Sequence, residues 1–536
     1  MEKKPNILII TTDQQRFDAI GAVDPRIYTP NLNQLAKEGA LYTHTYTPNP
    51  VCVPARQNIL TGLTARHHGF DDNDFARHRY SPYYLPKLPQ ILSDAGYDTI
   101  AIGKLHFEPN RRHDGFHRYF MIDEVPRHRE EDDYALYLKN NGYDHISALH
   151  GVRDPLYMMP QRSVVDKKDH SSTWIADLTI EQLKINSGKR PFFFWSGFVH
   201  PHPPMDVIDE FADLYKDKDL PEPIQSISPV SWLAEENKNI VSYPNEDVFR
   251  RFRELYYASI AQVDEQIGRI LQALKDLNLY DQTCIIFCSD HGEMLGDMDT
   301  FQKFLPYDGS SRVPFIIRYP EKIKPDTTVN ALINLNDIMP TLLEIAGAQY
   351  PAPFELAGQS VFDLNNRNET FIEHGKEARR WVSVVTPDYK YAYYYGGARE
   401  ELFDLVNDPK ERINLLDDHQ SSFDDIRKQL RSKCIDWELC FGLEDHIENH
   451  DFKQWPQPQL RPFMGTGELI FPKRIMDPHE RAKIQPLREQ IVNVVKDEPV
   501  LRLKDLDFSY MLQTHQLTEE DIAWIIEQDN INKEGK

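Results

Sequence analysis

Four pairs of polar residues each follow an apolar run. Asp13 and Gln14 follow Asn6–Thr12, Lys104 and His106 follow Asp98–Ile102, His200 and His202 follow Phe192–Trp195, and Asp290 and His291 follow Thr283–Ser289. In open α/β sheets ligands bind outside the carboxyl ends of the strands, so these four segments could converge on one site. Asp13, Gln14, Asp290 and His291 offer two carboxylates, an amide oxygen and an imidazole. That donor set suits a divalent ion, hard or borderline. A single aspartate after a strand more often caps a helix; four such pairs together favour a site. Cys52 and Arg56 stand four apart, which on a helix places both on one face. The guanidinium could then lower the thiol's pKa or hold an anion. Without further context the same cysteine reads as a buried structural residue.

The elements that must position these residues alternate between strand and helix over the first two-thirds of the chain. Asn6–Thr12 is a short apolar run of the kind found in buried parallel strands. Thr29-Pro30 predicts a helix start, with Thr29 as N-cap, Pro30 in the first turn and Leu32 and Leu35 on the apolar face. Leu88–Ala95 reads as a helix stopped by Gly96, and Asp98–Ile102 as the next strand. Phe192–Trp195 is a further buried strand. Arg251–Leu277 is a long amphipathic helix with Ile260, Val263, Ile267, Ile270 and Leu274 stepping by three and four. Strands at Thr283–Ser289 and Val313–Tyr319 follow. This alternation predicts an α/β fold, a large doubly wound sheet flanked by helices. After about residue 375 the texture changes: Trp381–Val385, Lys390–Tyr395 and Leu402–Leu405 read as antiparallel strands of a smaller α+β subdomain. The organisation expected is a catalytic domain over 1–375, a small subdomain over 376–440 and an extension over 441–536 ending in a helix near Glu519–Glu527.

Context decides the cysteine. Cys52-Val53-Pro54-Ala55-Arg56-Gln57-Asn58-Ile59-Leu60-Thr61-Gly62 resembles the signature of type I sulfatases, C-x-P-[S/A]-R-x4-T-G, in the alkaline phosphatase-like superfamily. The resemblance extends to Asn6–Asp13, Thr29–Gly39, Gly103-Lys104-Leu105-His106, Pro201-His202-Pro203-Pro204, Ser289–Glu293, Arg312–Ile317 and Glu401–Leu415, in the family's order. It implies that Cys52 is oxidised after synthesis by a formylglycine-generating or sulfatase-maturing enzyme to formylglycine (3-oxoalanine). The hydrated aldehyde would attack the sulfur of a sulfate ester, and its second hydroxyl would then expel sulfate. By the same resemblance Arg56 and Lys104 would hold the gem-diol oxygens, and His106 would help to deprotonate the remaining hydroxyl. His202 and Lys303 would contact the sulfate and protonate the leaving oxygen, and Asn73 would meet the substrate oxygens. Asp13, Gln14, Asp290 and His291 would bind the metal. His200 reads as packing behind the site, and Arg111, Arg112 and His113 as solvated charge in an insertion.

Many calcium sulfatases carry adjacent aspartates where this chain has Asp13-Gln14, and Asp-Asn where it has Asp290-His291. The pattern here is closer to choline sulfatases and phosphonate monoester hydrolases. One less negative ligand admits manganese or magnesium beside calcium. Three functions compete: hydrolysis of a sulfate ester on a sugar or another small organosulfate; hydrolysis of a phosphonate monoester or phosphodiester on the same scaffold; and noncatalytic binding. The retained cysteine, lysines, histidines and metal set argue against the last. By analogy with related Asp-Gln enzymes, a homo-oligomer is expected, with the 441–536 extension contributing to its contacts.

Composition bounds the partners. Lysine plus arginine is 61 against 84 acidic residues, a net charge of −23 over 536 residues. So acidic a chain argues against nucleic acid and anionic membrane as partners, while a locally basic site still admits an anionic substrate. No apolar run approaches the ~20 residues of a membrane helix. No apolar segment of a secretory signal follows Met1–Pro5, so a cytoplasmic location is expected. The five cysteines include no C-x-x-C, and Cys284 and Cys288 lie roughly 13 Å apart along one strand, too far to bridge. Gly103-Lys104-Leu105 lacks the spacing and the Ser/Thr of a P-loop.

Overall fold

A computed structural model describes residues 4–534 apart from 74–83, 108, 127–128, 352, 365–366, 418–420 and 463–477. Its centre is an eight-stranded sheet. The strands are β1 (Asn6–Asp13), β2 (Ala40–Tyr46), β3 (Asp98–Lys104), β4 (Arg118–Ile122), β5 (Phe192–Pro201), β6 (Thr283–Ser289), β7 (Phe315–Arg318) and β8 (Thr327–Asn334). Their order is β4-β3-β5-β1-β6-β7-β2-β8. Parallel pairing joins β4 to β3, β3 to β5, β5 to β1 and β1 to β6, whereas β7 runs antiparallel to both of its neighbours. Strands β1, β3, β5 and β6 are buried along their whole length, as expected where helices cover both faces.

Helices α1 (Pro30–Glu38), α2 (Cys52–Thr61), α3 (Leu88–Asp94), α4 (Ser171–Asn186), α5 (Glu246–Asp276) and α6 (Ile338–Ala346) supply that cover. One face packs against α1, α4 and α5, the other against α2, α3 and α6. The apolar stripe of α5 is the one read from the sequence: Ile260, Val263, Ile267, Ile270 and Leu274 are all buried. Each such side chain contributes about 1.5–3 kcal/mol of apolar burial. The Thr29 cap is corrected. Thr29 does precede α1, but its hydroxyl makes no cap bond. It accepts instead from Gly21 N at 2.7 Å, outside the helix.

A glycine pair brings the site-bearing strands together. Gly103 of β3 faces Gly197 of β5. A Cβ at Gly103, whose φ is +96°, would meet Gly197 O at 2.1 Å, and one at Gly197 would meet Lys104 O at 2.4 Å. Neither position has room for a side chain.

Strands β9 (Thr370–His374), β10 (Trp381–Val385), β11 (Tyr389–Tyr394) and β12 (Arg399–Asp404) form a separate antiparallel sheet in the order β12-β11-β10-β9. Its first strand precedes the boundary read at residue 375. Helix α7 (Asp424–Cys440) packs on β10 and β11. Beyond it, α8 (Leu487–Val495) and α9 (Glu519–Glu534) return to the first domain, where Ile491, Val494 and Val495 cluster with Val152, Leu156 and Met159. No described helix is long and apolar enough to cross a membrane.

One buried cap makes stability depend on pH. Asp132 is fully buried, and its side chain accepts from Ala135 N to start the helix Asp133–Asn140. Burial, helped by Asp123 and Asp133, raises its pKa to about 8. A raised acid contributes stability that is complete below its unfolded pKa, about 3.9, and lost as pH rises through the folded value. Asp132→Asn cannot ionise; it keeps the acceptor for Ala135 N but turns its amide NH2 towards Asp123 N, which now donates to the second carboxylate oxygen. We expect the variant to melt below the wild type at pH 4 and the gap to close, or reverse, as pH rises to 8.5; a gap that stays constant over that range would contradict the assignment.

Candidate active site

The four central strands β3, β5, β1 and β6 end on one side and deliver Lys104, His202, Asp13 and Asp290 to a single place. Helix α2 enters from one face. Its residues are all buried, and Gly62, at φ +67°, ends it with its N–H on Asn58 O. Cys52 is the first residue of α2, so its side chain lies at the positive end of the helix.

Cys52 Sγ lies 3.1 Å from Lys303 Nζ, 3.1 Å from His291 Nε2 and 3.7 Å from Asp13 Oδ1. Burial and the Asp13 carboxylate both push the thiol up; Lys303, His291 and Lys104 outweigh them and hold it well below the usual thiol range. Asp13 is fully buried, and burial alone would raise its carboxyl. Lys104, His202, Arg56 and His291 reverse this and keep it ionised. Lys104 Nζ reaches Asp13 at 2.8 Å and Glu124 at 2.8 Å. The Arg56 guanidinium spans Asp13 at 3.0 Å and Asp290 at 2.9 Å. Both cations are thus anchored by carboxylates beside the cysteine.

Gln14 takes a left-handed backbone, φ +69°, that turns it back over the site. Its N–H donates to Asp290 Oδ1 at 3.1 Å, and its amide nitrogen donates to Glu293 Oε2. That second bond sets the amide so that Oε1 accepts from Lys303 Nζ at 2.8 Å. His291 Nδ1 lies 3.0 Å from Gly292 O, to which it can only donate, so Nε2 is the nitrogen that faces Cys52: a donor while the imidazole is charged, and a lone pair once a bound cation takes the proton's place. Ligand atoms of Asp13, Cys52, Asp290 and His291 all lie within 4.8 Å of one another. Burial and Asp13 raise Asp290, against His291 and Arg56. Two buried carboxylates and an imidazole nitrogen at such separations, with the Gln14 amide oxygen on the same lysine as Cys52, fit a divalent cation, which would relieve the repulsion between the two acids.

His202 follows β5 and lines a cavity of about 330 Å³ together with His106, Lys303 and Asn73. Burial, then Lys303 and Lys104, lower its pKa against the pull of Glu124. Its Nδ1 donates to Pro203 O at 2.6 Å. His106 adopts φ +57°. Asn73 Oδ1 accepts from Val53 N at 3.0 Å, which ties its loop to the first turn of α2.

Every site residue proposed from sequence therefore lies in one network or on the wall of one cavity. Others stay apart. Arg111 pairs with Asp133, Arg112 with Asp114, and His113 packs on Tyr119. His200 is fully buried beside His170. Sequence reasoning missed Glu124, Arg153, Tyr157 and Glu293. Glu124 joins Lys104, Arg153 at 2.6 Å and His202 at 3.5 Å, and these partners hold its carboxyl well below the usual range against burial. It stands two residues past β4, so the rule that found Asp13 could have found it.

The sulfatase family model matches residues 5–348, which span the network from Asp13 to Lys303. The chain belongs to the sulfatase family. This sulfatase is a sulfuric ester hydrolase. Residues 296–438 match a second model, N-sulphoglucosamine sulphohydrolase, C-terminal. An arylsulfatase of Clostridium perfringens is 32% identical over 464 residues, which cover 80% of this chain and 94% of the relative. A choline-sulfatase of Rhizobium meliloti is 31% identical, over 78% of this chain and 84% of its own. The fold is shared with a phosphonate monoester hydrolase from Silicibacter pomeroyi, at TM-score 0.70 and 21% identity, over 85% of this chain and 100% of the other.

His202 lines the cavity beside Lys303, and poor leaving groups are those that most need a proton from such a wall. We expect His202→Asn to lower kcat by about 10²–10⁴ on an alkyl ester and far less on a nitrophenyl ester. Equal losses on both would remove the proton-donor role.

Proposed function

We propose that this sulfatase hydrolyses a sulfated carbohydrate or another small organosulfate, with Cys52 converted to formylglycine as its nucleophile. The observation that carries the reading is the place of Cys52 Sγ, 3.1 Å from both Lys303 Nζ and His291 Nε2 at the end of a buried helix. Conversion replaces Sγ by oxygen, and hydration of the aldehyde supplies a gem-diol nucleophile. The oxygens there inherit the partners now around sulfur. Lys303 and the helix N-terminus hold negative charge at that point, and Lys104 and Arg56 keep the surroundings cationic although both are paired with acids. His106 and His202 stand on the cavity wall, where they can take and return protons. Asn73 fixes the turn beside the nucleophile and faces the same cavity.

Asp13, Gln14, Asp290 and His291 would hold the divalent ion, which we propose to be calcium, with manganese or magnesium as the alternatives. Bound there, the ion supplies positive charge beside the nucleophile. The proposed partners are an anionic ester and a maturing enzyme that acts on Cys52 before the site closes, since Cys52 is fully buried once folded.

Turnover of an aryl sulfate against a matched aryl phosphonate monoester separates this reading from the phosphonate alternative. The protein should be co-produced with the maturing machinery, with Cys52→Ala as the blank. We expect a strong preference for sulfate and a blank at background; a strong phosphonate preference overturns the substrate assignment. Exhaustive chelation should abolish turnover and lower the melting temperature together, and readdition of calcium should restore both. Full activity in metal-free protein would remove the ion from the site.

A further inference from the structure

We propose that the C-terminal unit, residues 484–534, positions the rim of the catalytic cavity in cis, and that it acts on turnover through Arg153. The inference rests on the reading of that cavity as the site of ester hydrolysis. Residues 146–162 carry neither helix nor strand among the described residues. They nevertheless bring two side chains to the cavity wall, Arg153 and Tyr157. Arg153 donates to Glu124 at 2.6 Å, and its guanidinium lies 4.6 Å over the Tyr157 ring. Tyr157 in turn packs edge-on to His202, with ring centroids 6.2 Å apart. Through Glu124 the same contact reaches Lys104 and His202.

An irregular segment holds such a position only if its backbone groups are satisfied elsewhere. Gln161 of the segment itself holds Val152 N, Val152 O and Leu156 O, and Gln490 of α8, fully buried, holds the stretch at 147–148. Its Oε1 accepts from Ser147 N and Ala148 N, each at 3.1 Å, and from Ser147 Oγ at 2.5 Å. Its Nε2 donates to Ala148 O at 2.9 Å. At the other end Arg162 N donates to Val494 O at 2.8 Å. Glu498, also fully buried, accepts from Arg162 at 2.7 Å and from Arg251 at 2.7 Å. Between these anchors Val152, Leu156 and Met159 bury their side chains against Ile491, Val494 and Val495. The C-terminal unit therefore grips the segment on both sides of Arg153, and its own residues stay out of the cavity.

The test uses the full chain and the variants Gln490→Ala and Glu498→Gln, each alone and combined with Arg153→Met. Loss of the Gln490 grip should raise KM about tenfold, the equivalent of one hydrogen-bonded contact, with metal content unchanged. In the Arg153→Met background the same change should have no further effect, because both act through one side chain. Hydrogen exchange should quicken over 146–162 in Gln490→Ala and stay as it was in β3. Unchanged exchange overturns the proposal, and so do losses that multiply independently with Arg153→Met. Absent turnover of any ester by the wild type would count against the functional reading alone, while exchange still decides the grip. If Gln490→Ala does not fold, Ser147→Ala removes part of the same contact.

Discussion

Asp13 is the charge on which the rest of the site depends. It is wholly buried at the end of the central strand, and a buried carboxylate is costly unless it is paired. Arg56, Lys104 and His291 converge on it from three elements, and the cysteine lies against it. Each of those partners is buried too and needs acids of its own, which Asp290 and Glu124 provide. The outcome is a closed network of alternating charge, in which removal of any one member leaves another uncompensated. Such networks are poor sources of stability but hold their members in fixed positions.

The fold exists around that network at a recognisable cost in freedom. Strands β3, β5, β1 and β6 must end level, and the facing glycines Gly103 and Gly197 let β3 and β5 approach closely enough for Lys104 to reach Asp13. Gln14 and His106 adopt left-handed backbone conformations that other residues of their type seldom take, and both line or border the site. The cationic surroundings of Cys52 matter all the more in a chain of net charge −23, whose overall field opposes an anionic substrate.

Much of this was legible in the sequence, for physical reasons. Buried parallel strands are apolar throughout, so β1, β3, β5 and β6 stand out as runs, and the polar residue after each run marks the end of a strand. Strand β8 escaped because Thr327–Asn334 is half exposed at the sheet edge and mixes threonine and asparagine with its apolar residues. Strand β2 is equally diluted by Thr43 and His44. Arg153 and Tyr157 had no signal at all: they sit in irregular backbone whose shape is set by Gln490 and Glu498, more than 300 positions away. The role of Thr29 was misjudged because a threonine before a helix can spend its hydroxyl on a neighbouring loop.

We propose that the chemistry starts at Cys52 after its oxidation. Mass spectrometry of the peptide that contains Cys52, on preparations matured to different extents, tests it most directly. Specific activity should be proportional to the fraction of chains carrying formylglycine and extrapolate to zero when all chains carry the thiol. Full activity in a preparation whose Cys52 is wholly unmodified would contradict it.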